Sequence, residues 1–330
     1  VKILVTGGAG FIGSNFVEYM MKKHPGYKIT VFDKMTYASN PDTIAKFKKK
    51  KSFRFIKGDI CNKAQAEKAV NGQDWVVNFA AESHVDRSIS GPEIFIDTNV
   101  KGAFNMLEAS RKAGIKRFLQ ISTDEVYGSV KNGKSKEGDL LDPTSPYSSS
   151  KASADLIALA YYKTYGMNVV ISRSSNNYGP YQHPEKFIPL FITRTIEGNE
   201  LPLYGNGKNV RNWIYVEDNC SGLDTILHSG EAGEIYNVGG DVEEPNIKLA
   251  RYIIDALCQS NSLIKHVKDR PAHDKRYALD SKKLKKIGWK PEHSFKDGLR
   301  KTITWYANNT DWWMDLKGEA FKNYYKKNYK

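Results

Sequence analysis

The chain has little cysteine, no long apolar run and no low-complexity tract. Its three cysteines, Cys61, Cys220 and Cys258, are odd in number, far apart and free of any CxxC or metal-ligand spacing. A disulfide framework and a cysteine-held metal are therefore not expected; structural thiols in a reducing cytoplasm are, and no metal of any kind is anticipated. No stretch approaches the roughly 20 apolar residues that a membrane helix needs. Val1 to Thr6 runs straight into a glycine loop, so it reads as a buried strand rather than a secretion signal. An acidic balance is also missing: 50 Lys and Arg against 37 Asp and Glu leave a formal charge of +13. These cations are dispersed, apart from Lys48 to Lys51 and the tail Lys322 to Lys330, so no nucleic-acid partner is expected. A negatively charged small substrate would still profit from the field.

What is present is an ordinary globular composition, 40% hydrophobic and 12% aromatic, in 330 residues. That length suits two domains or one elaborated domain. Near the start, Thr6-Gly7-Gly8-Ala9-Gly10-Phe11-Ile12-Gly13 follows a β-branched strand and precedes the helical pattern from Asn15 to Met21. Glycines at 7, 10 and 13 permit a tight turn, close approach of backbone to a pyrophosphate, and close packing of helix on strand. The helix N-terminus then offers free N–H groups and a positive dipole end. A second strand, Lys28 to Phe32, ends in Asp33, twenty residues past Gly13. A carboxylate there accepts from a ribose 2′-hydroxyl and repels a 2′-phosphate, which points to NAD rather than NADP.

Further strands alternate with helical segments: Phe53 to Ile56 leads to Asp59, Trp75 to Phe79 leads to Ala80-Ala81, and Arg117 to Ile121 leads to Ser122-Thr123. This alternation predicts an α/β fold with a Rossmann-type, doubly wound parallel sheet. Ligands of such sheets lie outside the carboxyl ends of the strands, where Asp59, Ala81 and the Thr123 cluster would stand.

Two constellations carry chemistry. Tyr147 and Lys151 stand four apart after Pro146, a suitable helix start, in a helical pattern that runs to Gly166. Spacing i, i+4 puts both on one helix face. A phenol with a pKa near 10 is a poor base at neutral pH, and a neighbouring ammonium favours the phenolate. Tyr147 is thus expected to take the proton of an alcohol as its hydride leaves. Asp124 and Glu125 are adjacent, and successive strand residues face opposite ways, so the pair can serve one substrate only beyond the strand end. Two carboxyls sharing a site push one pKa upward, yielding an acid and a base from similar groups.

With these motifs assembled, the chain resembles the extended short-chain dehydrogenases/reductases, and among them the dTDP-glucose 4,6-dehydratase family. The matching segments span nearly the whole chain: the Thr6 to Gly13 loop, Ala80 to Ser88, Thr123-Asp124-Glu125, Tyr147 to Lys151, Ser175 to Tyr181, Pro184-Glu185-Lys186, Tyr215 to Asp218 and Asp269-Arg270-Pro271. The Thr-Asp-Glu triplet discriminates, because related epimerases carry small residues there and related decarboxylases and GDP-mannose dehydratases carry Thr-Ser-Glu. The resemblance implies transient oxidation of sugar C4 by bound NAD, loss of water across C5–C6, and return of hydride to C6. Tyr147 with Lys151 would deprotonate the C4 hydroxyl, Thr123 hold its oxygen, Glu125 take the C5 proton and a protonated Asp124 release the C6 hydroxyl.

By the same resemblance, Gly7, Gly10, Phe11, Ile12, Gly13, Asp33, Asp59, Ile60, Ala80, Thr98 and Asn177 join Tyr147 and Lys151 in holding NAD. Ser83, Thr123, Asn176, Lys186, Tyr204, Arg211, Asn246, Arg270 and His273 would hold dTDP-glucose. The guanidinium forks of Arg211 and Arg270 suit a pyrophosphate. Residues 1–175 would form the NAD domain and 176–330 mainly a smaller mixed α/β substrate-binding domain, with a segment at about 210–240 returning to the first. The family is usually a homodimer, here through Phe95 to Arg111 and Ser153 to Thr164. Its product is a precursor of rhamnose and other deoxysugars. Three places depart from the family pattern: Asn212, Ala272, and Glu243-Glu244-Pro245-Asn246. The nearest alternative is a related dehydratase or epimerase for a UDP-linked sugar. A non-catalytic NAD-sensing protein is the remoter one, since it would have no use for Tyr147, Lys151, Asp124 and Glu125 together.

Overall fold

The computed structural model describes residues 1–271 and 273–329. Its first six strands are β1 (Lys2–Thr6), β2 (Lys28–Asp33), β3 (Phe53–Lys57), β4 (Trp75–Asn78), β5 (Arg117–Thr123) and β6 (Val169–Ser174). Six shorter ones follow: β7 (Asn176–Tyr178), β8 (Leu201–Tyr204), β9 (Val210–Tyr215), β10 (Ile235–Val238), β11 (Val242–Pro245) and β12 (Ile264–Val267). A seven-stranded sheet runs in the order β10-β6-β5-β4-β1-β2-β3, every neighbouring pair parallel. The chain winds outward from β1 to β3 and then returns to β4 on the other side of β1. This reversal opens a crevice between the ends of β1 and β4, the usual ligand position of a doubly wound sheet.

The central strands are near-continuous apolar runs because both faces are covered by helices. Ile3, Leu4, Val5, Val76, Val77, Phe118 and Leu119 are fully buried. One face packs on the helices Phe11–Lys23 and Val216–Ser229, the other on Lys63–Val70, Ala103–Lys112 and Pro146–Tyr165. Two small sheets build the rest: β11-β9-β7 and the pair β12-β8. The helices Phe187–Ile196, Asn246–Ala256 and Phe295–Asn308 enclose a second apolar core there. Within 210–240, the helix Val216–Ser229 and β10 join the large sheet, whereas β9 pairs with β7 and β11 instead. β9, which carries the buried Arg211 and Asn212, is the central strand of that small sheet.

The helix Pro146–Tyr165 has well-marked ends. Ser145 accepts from the Ser148 N–H at 3.1 Å, Ser148 reciprocates to the Ser145 N–H at 3.0 Å, and Pro146 occupies the first helical position. Gly166 closes it at φ 64°, a left-handed conformation in which glycine is strain-free. Tyr147, Lys151 and Asp155 form one stripe and all three are buried. Asp155 meets Arg173 of β6 at 2.9 Å, with side chains 0% and 3% exposed. Arg173 also donates to the Tyr127 hydroxyl at 3.0 Å. Asp155→Ala would leave that guanidinium buried without its counter-charge, and a loss of about 3–5 kcal/mol is expected. The urea midpoint measures it; a shift within error would mean that Tyr127 and the backbone suffice.

Candidate active site

The crevice holds one groove with two connected ends. The first end is walled by Gly7, Gly10, Phe11, Ile12, Gly13, Asp33, Asp59, Ile60, Ala80, Thr98, Tyr147 and Lys151. The second is walled by Glu125, Asn176, Tyr204, Arg211, Asn246, Arg270 and His273. Ser83 and Lys186 belong to both. Three of the expected residues lie off these walls. Asn177 donates to the Ser175 carbonyl at 2.9 Å, while Thr123 and Asp124, next to Glu125 in the chain, are buried, 8% and 3% exposed.

The first end fits a dinucleotide. Gly7 stands at φ 66°, and a Cβ there would fall 2.7 Å from the Ala80 nitrogen. A Cβ on Gly13 would fall 2.3 Å from the Gly7 carbonyl oxygen, so the helix could not pack so closely on the turn. The helix Phe11–Lys23 begins at Gly10 without a side-chain cap, which leaves its first N–H groups for an anion. Asp33 is fixed by the N–H groups of Ala9 at 3.0 Å and Met35 at 2.7 Å. Asp59 is paired with Lys34 at 2.8 Å.

Thr98 reaches the groove from a π-helical turn, Ile96–Gly102. The next residue, Asn99, is buried and bridges the Glu82 N–H, the Glu82 carbonyl and the Ser150 hydroxyl at 2.8–3.0 Å. It thereby ties the loop after β4 to the Tyr147 helix. Sequence reasoning passed over Asn99, because an Asn inside a helical pattern carries no local signal of a partner 51 residues away.

At the centre, the Thr123 hydroxyl donates to Asp124 Oδ1 at 3.3 Å and accepts from the Glu125 N–H at 3.3 Å. Asp124 Oδ2 is buried with no hydrogen-bond partner among the described residues. Burial, and secondly the charge of Glu125, raise the Asp124 carboxyl well above its ordinary value. Burial raises Glu125 as well, but Arg270, Arg211 and Lys186 work against it. The two carboxyls are thus held apart in acidity. Burial also raises Tyr147, with Glu125 adding to it and hydrogen bonding by Thr123 opposing. Lys151 is pushed down to about 8 by burial, and its ammonium donates to the Ile121 carbonyl at 2.6 Å.

At the second end, Arg211 Nη2 and Arg270 Nε are buried and without partners among the described residues. Arg211 lies over the Tyr277 ring, 4.3 Å from its centre. Lys186 donates to the Ser83 carbonyl at 2.8 Å. Phe187, Leu190, Phe191, Pro202 and Trp213 add an apolar wall. Of the three departures, Asn212 faces away from the groove and donates to the carbonyls of Gly240 at 2.8 Å and Val242 at 3.2 Å. Its amide does structural work where an aspartate could only accept. Glu243 pairs with Arg276 at 2.7 Å and Glu244 with Lys248 at 2.8 Å, which leaves Asn246 to line the groove. Ala272 lies outside the described residues.

Fold and site together define an NAD-type dehydrogenase/reductase of the extended short-chain class, elaborated for a sugar nucleotide. Comparison with known proteins narrows this. A family profile described as GDP-mannose 4,6 dehydratase matches residues 4–302. The low-salt glycan biosynthesis protein Agl12 of Haloferax volcanii is 49% identical over 311 residues, 94% of this chain and 100% of that protein. A dTDP-glucose 4,6-dehydratase of an Actinoplanes species is 46% identical over 319 residues, 95% of this chain and 100% of the other. The crystal structure of DesIV, the dTDP-glucose 4,6-dehydratase of Streptomyces venezuelae, with NAD and TYD bound, superposes with a TM-score of 0.94. It is 46% identical and covers 96% of this chain and 100% of that one. The chain therefore belongs to the dTDP-glucose 4,6-dehydratases within the GDP-mannose 4,6 dehydratase family.

Proposed function

We propose that this chain converts dTDP-glucose to dTDP-4-keto-6-deoxyglucose with the residues of the groove. The observation that carries the reading is the Asp124–Glu125 pair. One carboxyl is sequestered and driven toward its protonated form, while the other faces three cations at the groove wall. Bound NAD would supply the redox chemistry, accepting a hydride from sugar C4 and giving it back at C6. The Gly7 to Gly13 loop and the open helix N-terminus would hold its pyrophosphate, and Asp33 and Asp59 its adenosine half.

Tyr147 accepts the proton of the C4 hydroxyl, with Thr123 on that oxygen. The carbonyl so formed acidifies C5–H, and Glu125 takes that proton. Asp124 donates its own proton to the C6 hydroxyl, which leaves as water, and a proton from Glu125 returns to C5. Arg211 and Arg270 bind the diphosphate. An epimerase returns hydride to C4 and expels nothing, so it would leave Asp124 without a task.

The remaining assignments are of the same kind. No helix among the described residues is long and apolar enough to cross a membrane. The three cysteines are free, as a cytoplasmic location would keep them. A homodimer is supported by Ile96, Phe104 and Leu156, which stand 45–59% exposed on the segments expected to pair.

The test is incubation with dTDP-glucose in deuterated water without added NAD, followed by mass spectrometry. Loss of one water with one deuterium at C5 is expected. Unchanged mass from protein that carries NAD would overturn the substrate, and UDP-glucose would be tried next.

A further inference from the structure

The sugar-nucleotide end of the groove is closed on one side by the last turn of the chain. Tyr329, from the C-terminal helix Glu319–Tyr329, lines it beside Tyr204, Arg270 and His273. Its ring centre is 5.3 Å from that of Tyr204 and 6.1 Å from that of Tyr324. Besides the apolar packing of Phe321 and Tyr325, a polar tie to this helix comes from Asp86, a carboxylate only 7% exposed on the same wall.

Asp86 takes hydrogen bonds from three distant parts of the chain. Oδ1 accepts from Arg270 Nη1 at 2.9 Å, and Oδ2 accepts from the Tyr324 hydroxyl at 2.9 Å and the Tyr204 hydroxyl at 3.1 Å. The neighbouring Arg87 secures the same helix a second time. Its guanidinium lies 5.1 Å from the Tyr324 ring centre and 4.0 Å from that of Tyr37, and it pairs with Glu185 at 2.8 Å.

Burying a carboxylate is costly unless it is paired and hydrogen-bonded, and here the pairing has a use. Arg211, Arg270 and Lys186 stand around one pocket and repel one another, so the unliganded site needs a fixed anion to hold them together. Glu125 and Glu185 line the same pocket, and Asp86 pairs directly with Arg270: it commits one nitrogen of that guanidinium while Nε keeps no partner among the described residues.

We propose that Asp86 is the positioning residue of the diphosphate end: it sets the Arg270 guanidinium and, through Tyr324, holds the C-terminal helix so that Tyr329 walls the pocket. The proposal rests on the sugar-nucleotide reading above.

Its test is a double-mutant cycle on the holoenzyme, with Asp86→Asn and Arg270→Gln, singly and together, assayed with dTDP-glucose and titrated with dTDP. Asp86→Asn is expected to raise KM, and the Kd of dTDP, at least tenfold, with kcat within threefold and NAD content unchanged. In the Arg270→Gln background the same change should add less than threefold. Tyr324→Phe, which removes one hydroxyl, should raise KM severalfold without lowering Tm. A fall in Tm and NAD content with KM unmoved, or effects that simply multiply across the cycle, would overturn the proposal. If Asp86→Asn does not fold, an unchanged KM in Tyr324→Phe would overturn it alone. Wild-type protein that binds neither dTDP nor dTDP-glucose would instead overturn the sugar-nucleotide reading.

Discussion

Replacing Tyr147 by Phe is expected to lower turnover about a thousandfold, within the 10²–10⁴ range of positioned acid–base groups. The ring itself should be undisturbed, since it packs with Val85 and Phe95 in a small apolar cluster and Phe keeps those contacts. The cap at Ser145 also survives. Only the hydroxyl goes, and with it the proposed acceptor for the C4 hydroxyl proton. Burial makes the free phenol reluctant to ionise, and the charge of Glu125 adds to that reluctance. Lys151, at about 8 and one helical turn along, keeps at neutral pH a charge that would favour the phenolate. Rapid-mixing spectroscopy of the reduced nicotinamide reads the step directly. The Phe variant should retain NAD and show no reduced cofactor after substrate is added. Turnover within tenfold of wild type would remove Tyr147 from the chemistry.

Asp124→Asn is expected to separate two steps that the wild-type enzyme runs together. The amide matches the carboxyl in size, so the Thr123 contact should persist. It has no acidic proton to give, so expulsion of the C6 hydroxyl should slow by 10²–10³-fold. C4 oxidation, which does not call on Asp124, should stay within tenfold. Reduced cofactor should therefore accumulate with an oxidised, undehydrated sugar. Equal loss in both steps would refute the acid role.

The pH profile offers a second check. The Asp124 pKa is raised in the folded protein, so the elimination rate should fall as pH rises through that value, and this limb should vanish in the Asn variant. Stability follows the same sign. A folded pKa raised above the unfolded 3.8 means that the native state binds the extra proton; the contribution of Asp124 to stability is full below 3.8 and is lost as pH climbs through the folded pKa. The Asn variant should escape that decline and melt higher than wild type on the alkaline side, a trade of activity against stability.

The parts of this molecule that were legible in the sequence are those whose signals are local. The Gly7 to Gly13 loop, Asp33 at the end of its strand, and the Tyr147–Lys151 pair each combine a short spacing with a backbone requirement. Their elements occupy the positions that those spacings imply. The alternation of strands and helices likewise announced a doubly wound sheet. What escaped were partnerships over long separations. Asp86 meets Tyr324 across 238 residues, and its neighbours Val85 and Arg87 give no hint of which cations or hydroxyls will surround it. Asn99 is a similar case. The sheet to which β9 belongs is a further case, since only its pairing with β7 and β11 decides it. In the Lys- and Tyr-rich tail the sequence shows only a local concentration of cations, since the burial of Tyr324 depends on a wall built elsewhere.

The return of β10 to the large sheet bears on how the chain comes to be folded during synthesis. The apolar cluster under the Gly7 loop contains Ile3, Val5 and Val170. It also contains Val216, Leu223, Ile226, Leu227, Tyr236, Val238, Leu284 and Trp289. A ribosome that has delivered the chain only as far as residue 175 has produced the nucleotide loop and the Tyr147–Asp155 stripe, yet β6 then presents an unpaired strand edge and one sheet face lacks the part of its cover that Val216–Ser229 provides. The nucleotide-binding half is translated before the segments that complete it. A nascent chain must keep that edge from pairing with its neighbours until β10 has emerged.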